Sequence, residues 1–143
     1  MFQIRPCRIE DFNEVLELLH QLWPDKSLDT ASLRIVYDRA LVSDSQAYVC
    51  VTAGEKIIAF GSLTVKNNLW QAGYLGHVDE LVVDKKYRSR GVGTQVLEQL
   101  IALAKQKGCC RIELDSASHR TDAHRFYERH GFENRGYLFS RVL

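Results

Sequence analysis

The stretch "RSRGVGTQVLEQLIALAKQKG", Arg88 to Gly108, decides the fold. Gly91 and Gly93 sit one residue apart beside Arg88 and Arg90, and an apolar run follows at once. The run carries helical periodicity, so residues 91–107 form a helix that Gly108 ends. Upstream, "YLGHVDELVVD" reads as a long strand. Downstream, "CRIELDS" is a strand with Ile112 and Leu114 on one face. A strand–helix–strand unit of this kind makes its two strands parallel through a right-handed crossover.

Working outward, "FQIRP" is a short first strand. Residues 10–22 form a helix with Phe12, Val15, Leu16, Leu19 and Leu22 on one face. Residues 30–42 form a second amphipathic helix through Leu33, Val36, Tyr37 and Leu41. "QAYVCVTAGEKIIAFGSLTV" is a hairpin turning at Gly54 and Glu55. Residues 121–130 are a short helix, and "GFENRGYLFSRVL" reads as a final hairpin with a break near Arg135 and Gly136. No linker or repeat interrupts the chain. The expectation is one α/β (α+β) domain over residues 1–143, built on a mixed sheet.

Composition narrows the function. The 143 residues are one domain's worth, with 45% hydrophobic and 26% charged residues, enough for a core without staples. A net charge of +1 argues against a nucleic-acid partner, which needs a strongly positive face. "MFQIRPCRIEDF" lacks the apolar region of a signal peptide, and no apolar stretch approaches membrane-spanning length. The expected setting is cytoplasmic, with no membrane association. Cys7, Cys50, Cys109 and Cys110 show no metal-ligand spacing, so they read as reduced thiols and no metal is expected.

The glycine-punctuated turn is suited to an anion. A helix N-terminus leaves N–H groups unpaired and carries partial positive charge. Gly91 and Gly93 let backbone approach a phosphate, and Arg88, Arg90, Lys85 and Lys86 add charge. A Walker loop is absent, and a dinucleotide fingerprint would need a small residue where Val96 stands.

The pattern Arg88-x-x-Gly91-x-Gly93 resembles the pyrophosphate-binding signature of the GNAT superfamily of acyl-CoA-dependent N-acyltransferases. "ELVVDKKYRSRGVGTQVLEQLIALAKQKG" resembles that family's central strand, loop and helix. "AHRFYERHGFE" resembles its fourth-helix signature, and "IRPCRIEDF" its entry strand and first helix. The resemblance spans essentially the whole chain. "DAHRFY" with an aromatic terminal strand is especially similar to the aminoalkylphosphonate N-acetyltransferase branch. The resemblance implies a mostly antiparallel sheet of six to seven strands with about four helices, whose central parallel pair splays at the cofactor site. It implies acetyl-CoA as cosubstrate, its pyrophosphate on Arg88, Ser89, Arg90, Gly91, Val92, Gly93 and Thr94. The pantetheine arm would run along Leu81, Val82 and Val83. Where many members carry an asparagine seven residues before the helix tyrosine, this chain has Arg120, which the resemblance puts against the cofactor phosphate or an anionic substrate. Phe126 reads as a core aromatic that borders the cofactor.

Amine attack on a thioester needs proton removal from the amine, oxyanion stabilisation and a proton for the thiolate. By resemblance, Tyr127 is the general acid. The base lies in "GHVDEL". Strand alternation puts His77 and Asp79 on one face and Glu80 on the other unless a bulge intervenes. A carboxylate beside an imidazole orients it and raises its pKa, which favours the His77–Asp79 pair, with Glu80 as the alternative. The implied function is acetyl transfer to a primary amine of a small molecule, by direct attack in a ternary complex. A protein N-terminal or lysine acetyltransferase and a non-catalytic acyl-CoA-binding module stay open, as does a homodimer. The first two helices and "KNNLWQAGY", with Trp70 and Tyr74, are placed to shape the acceptor site.

Overall fold

A computed structural model describes all 143 residues. β1 (Phe2–Pro6) leads through a short 3-10 turn into α1 (Phe12–Leu22) and then α2 (Thr30–Leu41). The β2 (Gln46–Ala53) and β3 (Lys56–Asn68) hairpin follows, then β4 (Gly73–Val83), α3 (Val92–Gln106), β5 (Cys109–Leu114) and α4 (Thr121–Arg129). One sheet runs in the order β1-β2-β3-β4-β5. Every neighbouring pair is antiparallel except β4 and β5, which are parallel with α3 as the crossover.

α1 and α2 cover one face of the sheet and α3 covers the other. Phe12, Val15, Leu18 and Leu19 of α1 bury against Phe60 and Val82. Val92, Val96, Leu97 and Leu100 of α3 bury against Val51, Ala59, Leu63 and Val78. Each fully buried leucine here is worth roughly 2 kcal/mol in apolar area. α3 lies so close to β3 that a Cβ on Gly61 would stand 2.5 Å from Val96 Cγ1, so a larger residue there would lift the helix. α2 starts at Asp29, whose carboxylate accepts from the Ser32 amide at 3.2 Å and satisfies an otherwise orphaned N–H.

Two expectations change. The sheet has five strands, not six to seven, and the expected terminal hairpin is not formed: residues 130–143 carry no strand. The parallel pair therefore lies at the edge of the sheet rather than in its centre. A strand needs a ladder partner, and the tail has none within this chain. Its Tyr137 and Phe139 are each 90% exposed, and Leu138, Val142 and Leu143 are exposed beside them.

Cys7 and Cys50 are both buried and free, and they meet Asp11 within 4.8 Å. The spacing in sequence hid this, because β1 and β2 pair across more than forty intervening positions. Asp11 is already engaged: Arg5 donates to both its oxygens at 2.7 and 3.0 Å and the Arg8 amide donates at 2.7 Å. Both carboxylate oxygens are thus hydrogen-bonded within the chain.

Candidate active site

The site is built by an irregularity in β4. Ser62 of β3 pairs with Glu80, while the next residue, Leu63, pairs with Val78, so Asp79 is an extra residue. Side chains change faces at this point. Val78 packs into the α3 core and Val82 into the α1–α2 core, although both are even-numbered. The intervening bulge that strand alternation left open is therefore present. It turns Glu80 to the same side as His77 and Asp79.

The ladder to β5 stops at the same place. Parallel pairing runs from Tyr74 opposite Cys109 to Val78 opposite Leu114 and goes no further. From Asp79 to Val83 the β5-side edge of β4 has no partner strand. Leu81 and Val83 are half-buried on the α3 side of this open stretch, and Val82 is buried on the other.

His77, Asp79, Glu80, Leu81, Arg120 and Tyr127 line one cleft of about 1330 Å³. His77 Nδ1 meets Asp79 Oδ1 at 2.8 Å, and its Nε2 meets Asp115 Oδ2 at 3.1 Å. The hydrogen bond to Asp79 raises the His77 pKa most, against partial burial, and Asp115 adds to it. A carboxylate on each nitrogen favours the protonated ring, a form in which neither nitrogen has a free lone pair. Asp79 also accepts from the Thr64 hydroxyl.

Glu80 has a different environment. Its carboxylate accepts from the Ser62 hydroxyl, and its own amide donates to Ser62 Oγ at 2.9 Å. Ser62 is fully buried. Burial pushes the Glu80 pKa above the ordinary carboxylate value, the Ser62 hydrogen bond opposes this, and Asp79 adds to the rise. Tyr127 is half-buried at the opposite wall. Burial raises its pKa, with Arg120 pulling the other way. The phenol is therefore protonated at neutral pH.

At the mouth of α3, Gly91 is the N-cap residue, with φ of 79°, and no side chain caps the helix. That left-handed conformation is what favours glycine here. A Cβ at Gly91 would touch nothing, so the space in front of the helix is open. The first internal bond runs from the Gln95 amide to the Gly91 carbonyl. The amides of Val92, Gly93 and Thr94 are therefore free of helix partners. Ser89 also takes a positive φ, 63°. Arg88 donates to the Val83 carbonyl at 3.2 Å, and the Arg90 guanidinium lies 5.3 Å from the Tyr87 ring centre. Gly93 serves packing as well: a Cβ there would lie 3.5 Å from Phe126 Cζ and 3.7 Å from Val83 Cγ2. Phe126 thus closes α4 against α3 and lies behind the loop.

Arg120 is the clearest departure. Its guanidinium donates to the Leu22 carbonyl at 2.6 Å and ties the start of α4 to the end of α1. One guanidinium nitrogen is engaged in this way, and Arg120 also lines the cleft. Sequence reasoning also passed over Asp115, Ser62 and His130. His130 donates from Nδ1 to the Phe126 carbonyl at 2.8 Å and accepts from Thr94 Oγ1 at 3.2 Å, locking α4 to the mouth of α3. Only the strand register could reveal Ser62, and only the β5 crossover could reveal Asp115.

An open strand edge that ends in a cationic helix mouth suits an extended, phosphorylated cosubstrate. A half-buried carboxylate and a phenol on one cleft suit proton transfers during group transfer. Together they define the class as an acyltransferase of this fold. Residues 12–132 match the Acetyltransferase (GNAT) family. The chain is 34% identical to glucosamine 6-phosphate N-acetyltransferase 1 of Dictyostelium discoideum, over 97% of its own length and 89% of that protein. It is 28% identical to the aminoalkylphosphonate N-acetyltransferase of Salmonella typhimurium, over 99% of its length and 91% of that protein. The crystal structure of glucosamine-6-phosphate N-acetyltransferase from Arabidopsis thaliana superimposes with a TM-score of 0.84 at 27% identity, covering 99% and 98% of the two chains. The chain belongs to the GNAT family of acetyltransferases. It is an enzyme, an acyltransferase, and acetyl-CoA is the acyl donor of its family. The same fold occurs in an aminoglycoside N-acetyltransferase solved with CoA, at a TM-score of 0.88 and 20% identity, covering 99% and 95% of the chains.

Proposed function

We propose that residues 1–143 form one catalytic domain that transfers acetyl from acetyl-CoA to the primary amine of a small molecule, by direct attack in a ternary complex. The observation that carries this reading is that Glu80 and Tyr127 share a cleft with the open edge of β4. The chain's residues fit the donor. The uncapped amides of Val92, Gly93 and Thr94, with Arg88 and Arg90 beside them, would hold the pyrophosphate. The backbone of Leu81–Val83 would pair with the pantetheine amides. When bound, acetyl-CoA supplies a thioester whose carbonyl carbon accepts the amine.

Glu80 is the base in this reading. Its raised pKa makes it a better proton acceptor than an ordinary carboxylate. The amine nitrogen's lone pair forms the C–N bond, the nitrogen becomes acidic as it does so, and Glu80 takes the proton. The C–S bond breaks, sulfur keeps the electron pair, and the Tyr127 hydroxyl gives it a proton. The proton on Glu80 returns to solvent and Tyr127 is reprotonated from solvent. His77 is a positioning residue: its cationic ring ties the bulge at Asp79 to Asp115 at the end of β5, and so holds the cleft open.

No helix is long and apolar enough to cross a membrane, in keeping with a cytoplasmic enzyme. The exposed apolar tail supports a homodimer in which residues 132–143 meet a second copy. Sedimentation of the full chain would test it, and a monomer at all concentrations would refute it. Thiol release across amines and peptides tests the reaction. Binding of acetyl-CoA with no acceptor-dependent release would overturn transfer in favour of a binding module. Release with peptide amines alone would overturn the small-molecule reading.

A further inference from the structure

Between α1, α2 and the sheet lies a second cavity, of about 80 Å³. Nine of its ten lining residues are hydrophobic, Phe12, Leu33, Val36 and Phe60 among them, and the tenth is Glu80. Glu80 and Trp23 are the only residues common to this cavity and the transfer cleft. The cavity and the cleft therefore adjoin at Glu80 and Trp23.

We propose that this cavity receives the carbon skeleton next to the acceptor's amine, and that the acceptor is a primary amine carrying a short aliphatic group. This rests on the transferase reading above. With the acceptor nitrogen at Glu80, its substituent would extend past the carboxylate and Trp23 into the cavity. The walls there select for apolar atoms. The Tyr37 hydroxyl is spent on the Arg8 carbonyl at 2.6 Å, which leaves Tyr48 as the one hydroxyl in the lining. A sugar buried there would leave several hydroxyls without partners, which is costly. The volume sets the size. A cavity of about 150 Å³ holds benzene, so about half of that holds a group of roughly three or four carbons. The rim is adjustable, because Val36 is half exposed on α2 while Phe12 and Phe60 beneath it are buried.

The test is an initial-rate series at fixed acetyl-CoA, with methylamine to hexylamine, isobutylamine, 2-aminoethylphosphonate and glucosamine 6-phosphate. The expected kcat/KM rises about fourfold per added methylene, the worth of one buried CH2, peaks near four carbons and then falls. Leu33→Ala, which enlarges the cavity, should move the peak to longer amines. Val36→Phe, at the exposed rim, should flatten the series. Each variant is compared by melting temperature to show that it is folded. A flat series in the parent, or a peak that Leu33→Ala leaves in place, overturns the proposal. Turnover of the phosphonate or the sugar phosphate in preference to isobutylamine overturns the cavity assignment and leaves the transferase reading standing. Silence across the whole panel and across peptides overturns both.

Discussion

Replacing Glu80 by glutamine separates the proton it carries from the shape it fills. Glutamine keeps the side-chain length, and its amide oxygen can still accept from the buried Ser62 hydroxyl. The Ser62 oxygen keeps the residue-80 amide bond of 2.9 Å. What disappears is the group that takes the amine's proton, typically worth about 10²–10⁴-fold in kcat. Stability should move the other way. The folded-state pKa of Glu80 lies above its unfolded value, so its contribution to stability is full below the unfolded pKa of about 4.3 and is lost as pH rises through the folded pKa. Ionising the parent's half-buried carboxylate is costlier than ionising it in water, a cost that glutamine does not carry. The variant should then melt at or above the parent at pH 7–8, with the difference closing toward pH 4. The assay is thiol release under saturating donor and acceptor from pH 5 to 9. The parent's kcat should rise with pH through an ionisation above the usual carboxylate range, and the variant should lose that limb. A folded Glu80→Gln enzyme within threefold of the parent, with the limb intact, refutes the assignment of the base.

Three further outcomes follow from the same geometry. Tyr127→Phe should lower kcat by about 10²–10⁴-fold while acetyl-CoA affinity changes little, because the hydroxyl acts when charge develops on sulfur; near-parental kcat refutes the acid role. Gly91→Ala should cost about 1 kcal/mol of stability for a left-handed residue with a Cβ, and calorimetry should show weaker acetyl-CoA binding; unchanged affinity in the folded variant removes the loop from the site. His77→Asn removes a group whose folded pKa is raised. Its contribution is full below the unfolded value of about 6.5 and fades as pH rises through the folded pKa. The stability gap to the parent, read by urea titration, should therefore be widest near pH 6 and shrink above neutrality; a pH-independent gap refutes the ion-pair account.

The fold was legible where one segment carries its own signal. The α3 segment shows its periodicity, its glycine stop and its parallel crossover without reference to any other part of the chain, and helix ends fell within two residues of expectation. The "GFENRGYLFSRVL" tail was misread because alternating apolar residues look like strands whether or not a partner edge exists. The family signature pointed to Tyr127 and the loop as candidates. The sequence favoured the His77–Asp79 pair over Glu80, because neither the bulge at Asp79 nor the contact of His77 with Asp115, thirty-eight positions away, is visible without the strand register. It could not foresee that Arg120 donates to the Leu22 carbonyl, since α1 and α4 meet only in three dimensions.

The single extra residue at Asp79 links these observations. Without it, alternation would send Glu80 into the α3 face, where Val92, Val96 and Leu97 leave no room for a carboxylate. With it, Glu80 reaches both the cleft and the apolar cavity. The same kink ends the ladder to β5 at Val78, and so exposes the backbone on which an extended donor can pair. The bulge would be costly if its carboxylate stood alone near Glu80, since two neighbouring carboxylates raise each other's pKa. His77 and Thr64 both donate to Asp79, and Asp115 completes the cation's second contact. The proposed base, donor edge and acceptor pocket thus all depend on one insertion in the strand. The His77 clamp holds that insertion in place, and for that reason its conservative replacement should disturb stability and cleft geometry together rather than proton transfer alone.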